Sequence, residues 1–239
     1  MFSALKKSIS NALRAKKAPK EANKIKFDYA GLCVRVGSEL VVSNNNMLIY
    51  DSVCTKPTRT AITNISITSV QRSTMYRLYL GPDHFVQILI NAKNEVEECR
   101  LFSLVRVIQP STSGEWLLYL QDRNYDPENL PIIGRDEVFL DDVSYCRLES
   151  WASPEPPWVE PLNLLEKRYG VDGDVYNIDN VIMAYGRWLH EGEEIAEYLL
   201  ISSEEVVLDG PVEFEAPMDC AVRYYVGLDI SIDELSSSF

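Results

Sequence analysis

Residues 76–90 read YRLYLGPDHFVQILI, and this stretch decides the class of fold. Residues 76–80 and 84–90 are short runs rich in aromatic and β-branched side chains, which is typical of β-strands. Between them, Gly81-Pro82-Asp83 is a turn signal, because proline presets one backbone angle while glycine and aspartate tolerate unusual ones. The stretch therefore predicts an antiparallel β-hairpin.

The same strand-like pattern recurs on both sides of this hairpin. It is found at residues 32–36, 47–50, 61–68, 99–107, 145–148, 181–188, 196–201 and 222–227. Prolines 154, 156, 157 and 161 are too dense for regular structure and predict a boundary. We expect a mainly β protein, a β-rich α+β fold whose antiparallel sheets form two strand-rich halves, residues 27–153 and 154–239. An alternative is that the two halves form one continuous domain.

Residues 1–26 form a basic arm, with eight lysines or arginines against the single acidic residue Glu21. A helix here would gather apolar side chains on one face and end at Ala18-Pro19, because proline disfavours the helical conformation of the residue before it. The candidate contact residues are Phe2, Leu5, Ile9, Leu13, Lys6, Lys7, Arg14 and Lys17. The arm is predicted to be an amphipathic helix on an anionic membrane or a partner; the alternatives are a terminal helix docked on its own domain and a flexible tail.

The overall charge argues against one class of partner. The 239 residues contain 23 Lys and Arg against 36 Asp and Glu, a net charge of −13. Nucleic acid is therefore not expected as a partner, since Lys and Arg supply most of that affinity. Five scattered cysteines without a CxxC pair, and the lack of a signal-like or spanning apolar stretch, predict a cytoplasmic protein, or one peripheral on the inner membrane.

The sequence contains little that specifies chemistry. Its two histidines, His84 and His190, do not stand at metal-ligand spacing, and there is no nucleophile elbow or phosphate-binding glycine loop. We therefore expect no catalytic, cofactor-binding or metal site. The alternative is an accessory hydrolase or ligase-type enzyme in which His190, beside three nearby glutamates, acts as a base.

Two pairs of residues are candidates for an interaction surface. Trp151 and Trp158 flank the proline-rich stretch, where exposed aromatic side chains are typical of a binding edge. Glu204 and Glu205 lie in an acidic run that has no Lys or Arg between His190 and Arg223. Such a run would form a negative face for a basic partner, or it would simply be solvated.

Several hydrophobic phrases resemble a known family. They are residues 96–102, Pro110, Trp116, and residues 158–162, 184–187, 197–201 and 226–230. Together they resemble the YjfK-like proteins, a bacterial family of unknown function. The resemblance implies a cytosolic protein encoded near a phage-shock-type membrane-stress protein, a small membrane protein and an ATP-grasp amide ligase. It carries over no catalytic residue. From it we expect a non-enzymatic interaction module of a bacterial membrane-stress or envelope-associated system, with a protein partner such as a membrane-stress protein.

Overall fold

The computed structural model describes residues 25–43, 52–55, 57, 60–120, 131–148, 157–171, 173–189, 196–207 and 220–238. The basic arm up to residue 24, the predicted strand at 47–50, Trp151 and His190 lie outside the described residues. The predictions made for them are therefore not addressed by the fold.

Most of the described residues are in strands. They form β1 Lys26–Tyr29, β2 Leu32–Arg35, β3 Glu39–Val42, β4 Thr60–Ala61, β5 Asn64–Val70, β6 Ser73–Tyr79, β7 His84–Ile90, β8 Val96–Ile108, β9 Glu137–Leu140, β10 Val143–Arg147, β11 Leu162–Gly170, β12 Val175–Trp188, β13 Ala196–Val207, β14 Cys220–Asp229 and β15 Leu235–Ser238. One short α-helix, α1 Ser113–Leu117, is capped by Thr112, whose side chain accepts a hydrogen bond from the amide of Glu115. A single 3₁₀ turn, Ile232–Glu234, precedes β15. The prediction of a mainly β, antiparallel protein is confirmed.

Eight of these strands close into a barrel. The order around the ring is β5-β6-β7-β8-β14-β13-β12-β11, and β11 pairs back onto β5 between residues 167–170 and 64–67. Each neighbouring pair is antiparallel. The ring consists of two four-stranded meanders, β5–β8 and β11–β14. Strands from both predicted halves therefore share one sheet, and the boundary after residue 153 stays a prediction.

The predicted hairpin at residues 76–90 is confirmed, because β6 and β7 pair antiparallel on either side of a turn at residues 80–83. Gly81 adopts a φ of +76°, a left-handed conformation that glycine reaches without steric cost. Farther round the barrel, Gly227 on β14 permits a close approach to β8. A Cβ atom at this position would lie 2.5 Å from Cδ1 of Phe102 and 2.9 Å from the carbonyl oxygen of Leu101.

Alternation along each strand sorts side chains between the inside and the outside of the barrel. On β11, Leu164 and Glu166 point inward and are buried, whereas Leu165 between them points outward and is exposed. The apolar interior contains Met75, Tyr79, Phe85, Phe102, Leu164, Ile182, Ala196, Tyr198, Leu200 and Tyr225.

A second and larger core lies on the outer wall of the barrel. The β1–β2 hairpin, the sheet β15-β3-β4 and the β9–β10 pair, which extends from β12, pack over this wall. Phe27 of the hairpin meets Tyr76 of β6 edge-on, with ring centroids 5.1 Å apart. Under this cover the outward side chains Leu78, Val86, Leu101 and Val226 are fully buried. The two cores together explain how one sheet hides apolar residues on both faces.

Candidate functional site

Inside the barrel, a buried carboxylate binds two arginines from different strands. Nη1 of Arg77 on β6 lies 2.9 Å from Oε2 of Glu166 on β11, and both side chains are almost wholly buried. Nη2 of Arg168 lies 3.0 Å from Oε1 of Glu166, which also accepts a 2.6 Å hydrogen bond from the hydroxyl of Tyr79. Burial alone would raise the pKa of Glu166, but the charges of Arg77 and Arg168 outweigh it and lower the pKa to about 2.

Hydrogen bonds and ion pairs continue from Glu166 toward β13 and β14. The hydroxyl of Ser202 donates a 2.7 Å hydrogen bond to the amide oxygen of Asn180, a residue that itself bonds Glu166. Glu204 follows on the same inner face, 3.6 Å from Nη2 of Arg168 and 3.3 Å from Nε of Arg223.

The contacts also run in the opposite direction, toward β7 and β8. Gln87 accepts from Nε of Arg77 at 3.0 Å and donates to Glu98 at 2.6 Å. Arg100 then pairs with Glu98 at 2.7 Å and with Asp229 at 2.8 Å, at the rim of the barrel. We call these charged side chains the interior network: Arg77, Arg100, Arg168, Arg223, Glu98, Glu166, Glu204 and Asp229. Its four positive and four negative charges compensate one another.

A second buried carboxylate, Glu197 of β13, points outward from the barrel wall. It accepts 2.7 Å hydrogen bonds from the hydroxyl of Tyr145 and from Nε of Arg187. It also bonds the hydroxyl of Ser52 and, at 3.2 Å, the amide of Val53. These contacts anchor one end of the short segment 52–55 to the barrel.

The other end of segment 52–55 is held by Ser103 and His84. The Thr55 amide donates to Oγ of Ser103 at 3.0 Å, Ser103 donates back to the Thr55 carbonyl at 2.8 Å, and Oγ1 of Thr55 lies 2.8 Å from Nε2 of His84. A hydroxyl beside an imidazole has the geometry of a nucleophile and its base. Burial lowers the pKa of His84 and raises that of the adjacent Cys54 thiol to about 11, which favours the protonated thiol at neutral pH.

One sector of the outer wall is exposed or half-buried, and we call it the outer patch: Leu165, Lys167 and Tyr169 of β11, Asp179 of β12, and Glu205 and Val207 of β13. Leu165, Asp179 and Glu205 are opposite one another across the three strands. Lys167 and Val207 lie in the neighbouring row, on either side of Asn177. Leu165 is 64% exposed and Val207 43%. The outer patch thus combines apolar side chains with two carboxylates and one lysine on the outer face of the barrel.

The structure separates the residues that the sequence grouped as an interaction surface. Glu204 points into the barrel, is 8% exposed and is held by arginines, whereas Glu205 points outward into solvent. Trp158 is half-buried, and its indole nitrogen donates a 3.0 Å hydrogen bond to the carbonyl of Ile133. The ring lies over Gly134, which has a φ of +108°. An interaction surface at these positions stays a prediction.

Sequence reasoning missed the interior network. A signal for Arg77 was present, because it lies between Tyr76 and Leu78 in a strand-like run. In such a strand it shares one face with Met75 and Tyr79. A charged side chain on the face of a strand that is otherwise buried predicts a paired charge inside the protein. The identity of its partner, Glu166, could not be obtained from local pattern.

In the part of the chain that the structure describes, no helix has both the length and the apolar character to cross a membrane. Within the same residues, no three His, Cys, Asp or Glu side chains are grouped as ligands of a metal ion would be.

These observations define a class of protein: a closed, eight-stranded antiparallel barrel filled by apolar side chains and mutually paired charges. The chain belongs to an uncharacterised family, since the model of the family described as protein of unknown function (DUF2491) matches residues 8–236. The expectation of an uncharacterised family is confirmed at this level. Neither the curated proteins nor the solved structures give a significant match.

Proposed function

We propose that this protein is a non-enzymatic interaction module of a bacterial membrane-stress or envelope-associated system. The observation that supports the proposal most strongly is the interior network. Its arginines and carboxylates bind one another inside the barrel, so they serve as the filling of a rigid scaffold. Contacts with other molecules are then made by the outer surface of the barrel and by the basic arm.

The state of the other ionisable groups is consistent with a scaffold. Burial raises the pKa of Cys99 to about 12, and burial with a hydrogen bond to Asp229 raises the pKa of Tyr198 to about 12. In enzymes, the pKa of a catalytic nucleophile or base is usually shifted toward neutral pH. For a thiol or a phenol such a shift is a lowering of the pKa, whereas the pKa values of Cys99 and Tyr198 are raised. The resemblance to the YjfK-like proteins supports the bacterial setting and a membrane-stress protein as partner.

The basic arm is the element that we propose for contact with an anionic membrane at the inner face. Burying Phe2, Leu5, Ile9 and Leu13 would yield about 6–12 kcal/mol, whereas ordering about 17 residues costs about 1 kcal/mol each. The free energy gained by apolar burial alone is therefore smaller than the cost of ordering the segment. The five basic residues of this segment contribute about 1 kcal/mol each near an anionic surface, which closes the balance when apolar burial reaches the upper end of its range. The binding should therefore be reversible and sensitive to salt.

Vesicle binding by charge-matched variants tests this proposal. Lys6→Gln with Lys7→Gln removes two positive charges from the arm, and Arg72→Gln with Lys93→Gln removes two from exposed turns of the barrel. On vesicles containing anionic phosphatidylglycerol, the arm variant should bind about thirtyfold more weakly than the parent protein. The barrel variant should bind nearly as well as the parent. Equal losses in both variants, or no binding by the parent, would contradict the proposal.

A further inference from the structure

The outer patch is continuous with the place where the basic arm joins the barrel. Lys26 begins β1, and Phe27 packs on Tyr76 of β6. One row of paired residues then crosses the wall, from Tyr76 to Ile67 on β5, Lys167 on β11 and Asn177 on β12. The distance across this row, from Tyr76 on β6 to Asn177 on β12, is three strand spacings, or about 14 Å. The seven residues 18–24 span up to about 23 Å when extended, so residues 1–17 can reach the patch.

The outer patch complements the arm in chemistry. Elsewhere on the outer wall, outward side chains such as Val86 and Leu101 are fully buried under other elements. In the patch, Leu165 and Val207 are exposed beside the carboxylates Asp179 and Glu205. The arm carries apolar Phe2, Leu5, Ile9 and Leu13 together with lysines at positions 6, 7, 16 and 17. As a helix its apolar stripe would be about 16 Å long, close to the length of five strand residues.

We propose that the outer patch is the docking site for the chain's own residues 1–17, and that this segment leaves the patch when it binds an anionic surface. The apolar stripe then has two alternative partners, the barrel and the lipid. The docked state lowers the apparent affinity for lipid in proportion to its population. The docking itself does not depend on the membrane function, whereas the competition rests on it.

Zero-length cross-linking of the full chain tests the docking. A water-soluble carbodiimide joins a lysine to a carboxylate only where the two are in contact. In dilute monomeric protein we expect cross-links from Lys6, Lys7, Lys16 or Lys17 to Asp179 or Glu205, identified by mass spectrometry. Leu165→Ser should lower their yield at least severalfold, and Leu118→Ser, which alters an equally exposed leucine elsewhere, should not. Absence of these cross-links, or their presence only in a covalent dimer, would overturn the proposal.

A second measurement tests the competition. Asp179→Asn with Glu205→Gln removes the acidic side chains of the patch, and Glu95→Gln with Glu97→Gln is the charge-matched control at another exposed site. The patch variant should bind phosphatidylglycerol vesicles about three- to tenfold more tightly than the control, the effect of losing two exposed ion pairs. Equal affinities of patch variant and control overturn the competition. If the cross-links form but no variant binds vesicles, the docking stands and the proposed membrane function fails.

Discussion

Glu166→Gln isolates the central ion pair of the barrel. The substitution keeps the shape of the side chain but leaves Arg77, which is buried and 2.9 Å away, without its carboxylate. Removing one partner of a buried pair typically costs about 3–5 kcal/mol. The pKa gives an independent figure. A carboxyl whose pKa falls from 4.5 to about 2 on folding contributes about 3 kcal/mol at neutral pH.

The sign of the pH dependence follows from the lowered pKa. The contribution of Glu166 is complete above its unfolded pKa of 4.5 and disappears as the pH falls through about 2. Urea unfolding, followed by tryptophan fluorescence, should show the variant to be less stable by about 3 kcal/mol at pH 7 and by about half of that at pH 3. The melting temperature at pH 7 should fall by about 6–12 °C.

Glu205→Gln is the matched control, because this side chain is exposed and lies one position after a residue of the interior network. Its unfolding free energy should change by less than about 0.5 kcal/mol. A Glu166→Gln variant that loses less than about 1 kcal/mol, or loses the same amount at pH 7 and pH 3, would refute the account of the interior network.

The remaining predictions concern packing, thiols and the alternative function. Gly227→Ala should destabilise the protein by about 1–3 kcal/mol in urea unfolding, because its Cβ would collide with Phe102. Gly114→Ala should not be destabilising, because the nearest atom to its Cβ, Oγ1 of Thr112, would be at an ordinary contact distance of 3.9 Å. Similar losses in both variants would contradict the close approach of β14 to β8. Native Cys54, which is buried, should react with iodoacetamide at pH 8 far more slowly than exposed Cys146, as measured by mass spectrometry, and equal rates would contradict the anchoring of segment 52–55. His190→Ala should leave vesicle binding and cellular function unchanged; loss of function in a folded protein would favour the hydrolase or ligase alternative, because a general base contributes about a hundredfold or more.

The sequence predicts those strands whose alternating positions are apolar. β6, β7, β8, β13 and β14 are of this kind, and their positions match the predicted runs. β11 was missed, because its residues 162–170 read LNLLEKRYG and the inward positions 166 and 168 hold charges. The local pattern there shows no alternation of apolar and polar residues. An inward Glu166 is stable because it pairs with Arg77, 89 positions away in the chain, and with Arg168, two positions away on the same strand.

Closure of the ring was also beyond the reach of local pattern. The pairing of β5 with β11 joins segments about a hundred residues apart, and no turn signal specifies it. Glu204 and Glu205 are a different case. Neighbouring residues of a strand point to opposite faces, so the predicted strand pattern could have assigned them to different environments. The acidic run was treated as one surface, although half of this pair belongs to the interior network.

The most direct test of the proposed function is flotation of the full chain with vesicles, before and after removal of residues 1–20. The account predicts that the intact protein floats with phosphatidylglycerol vesicles at low salt, is released by about 0.5 M salt, and does not float with neutral phosphatidylcholine vesicles. The truncated protein should remain in solution in each case, with an unchanged unfolding transition of the barrel. Flotation that survives the truncation, or that is insensitive to both salt and lipid charge, would contradict a membrane-contacting basic arm.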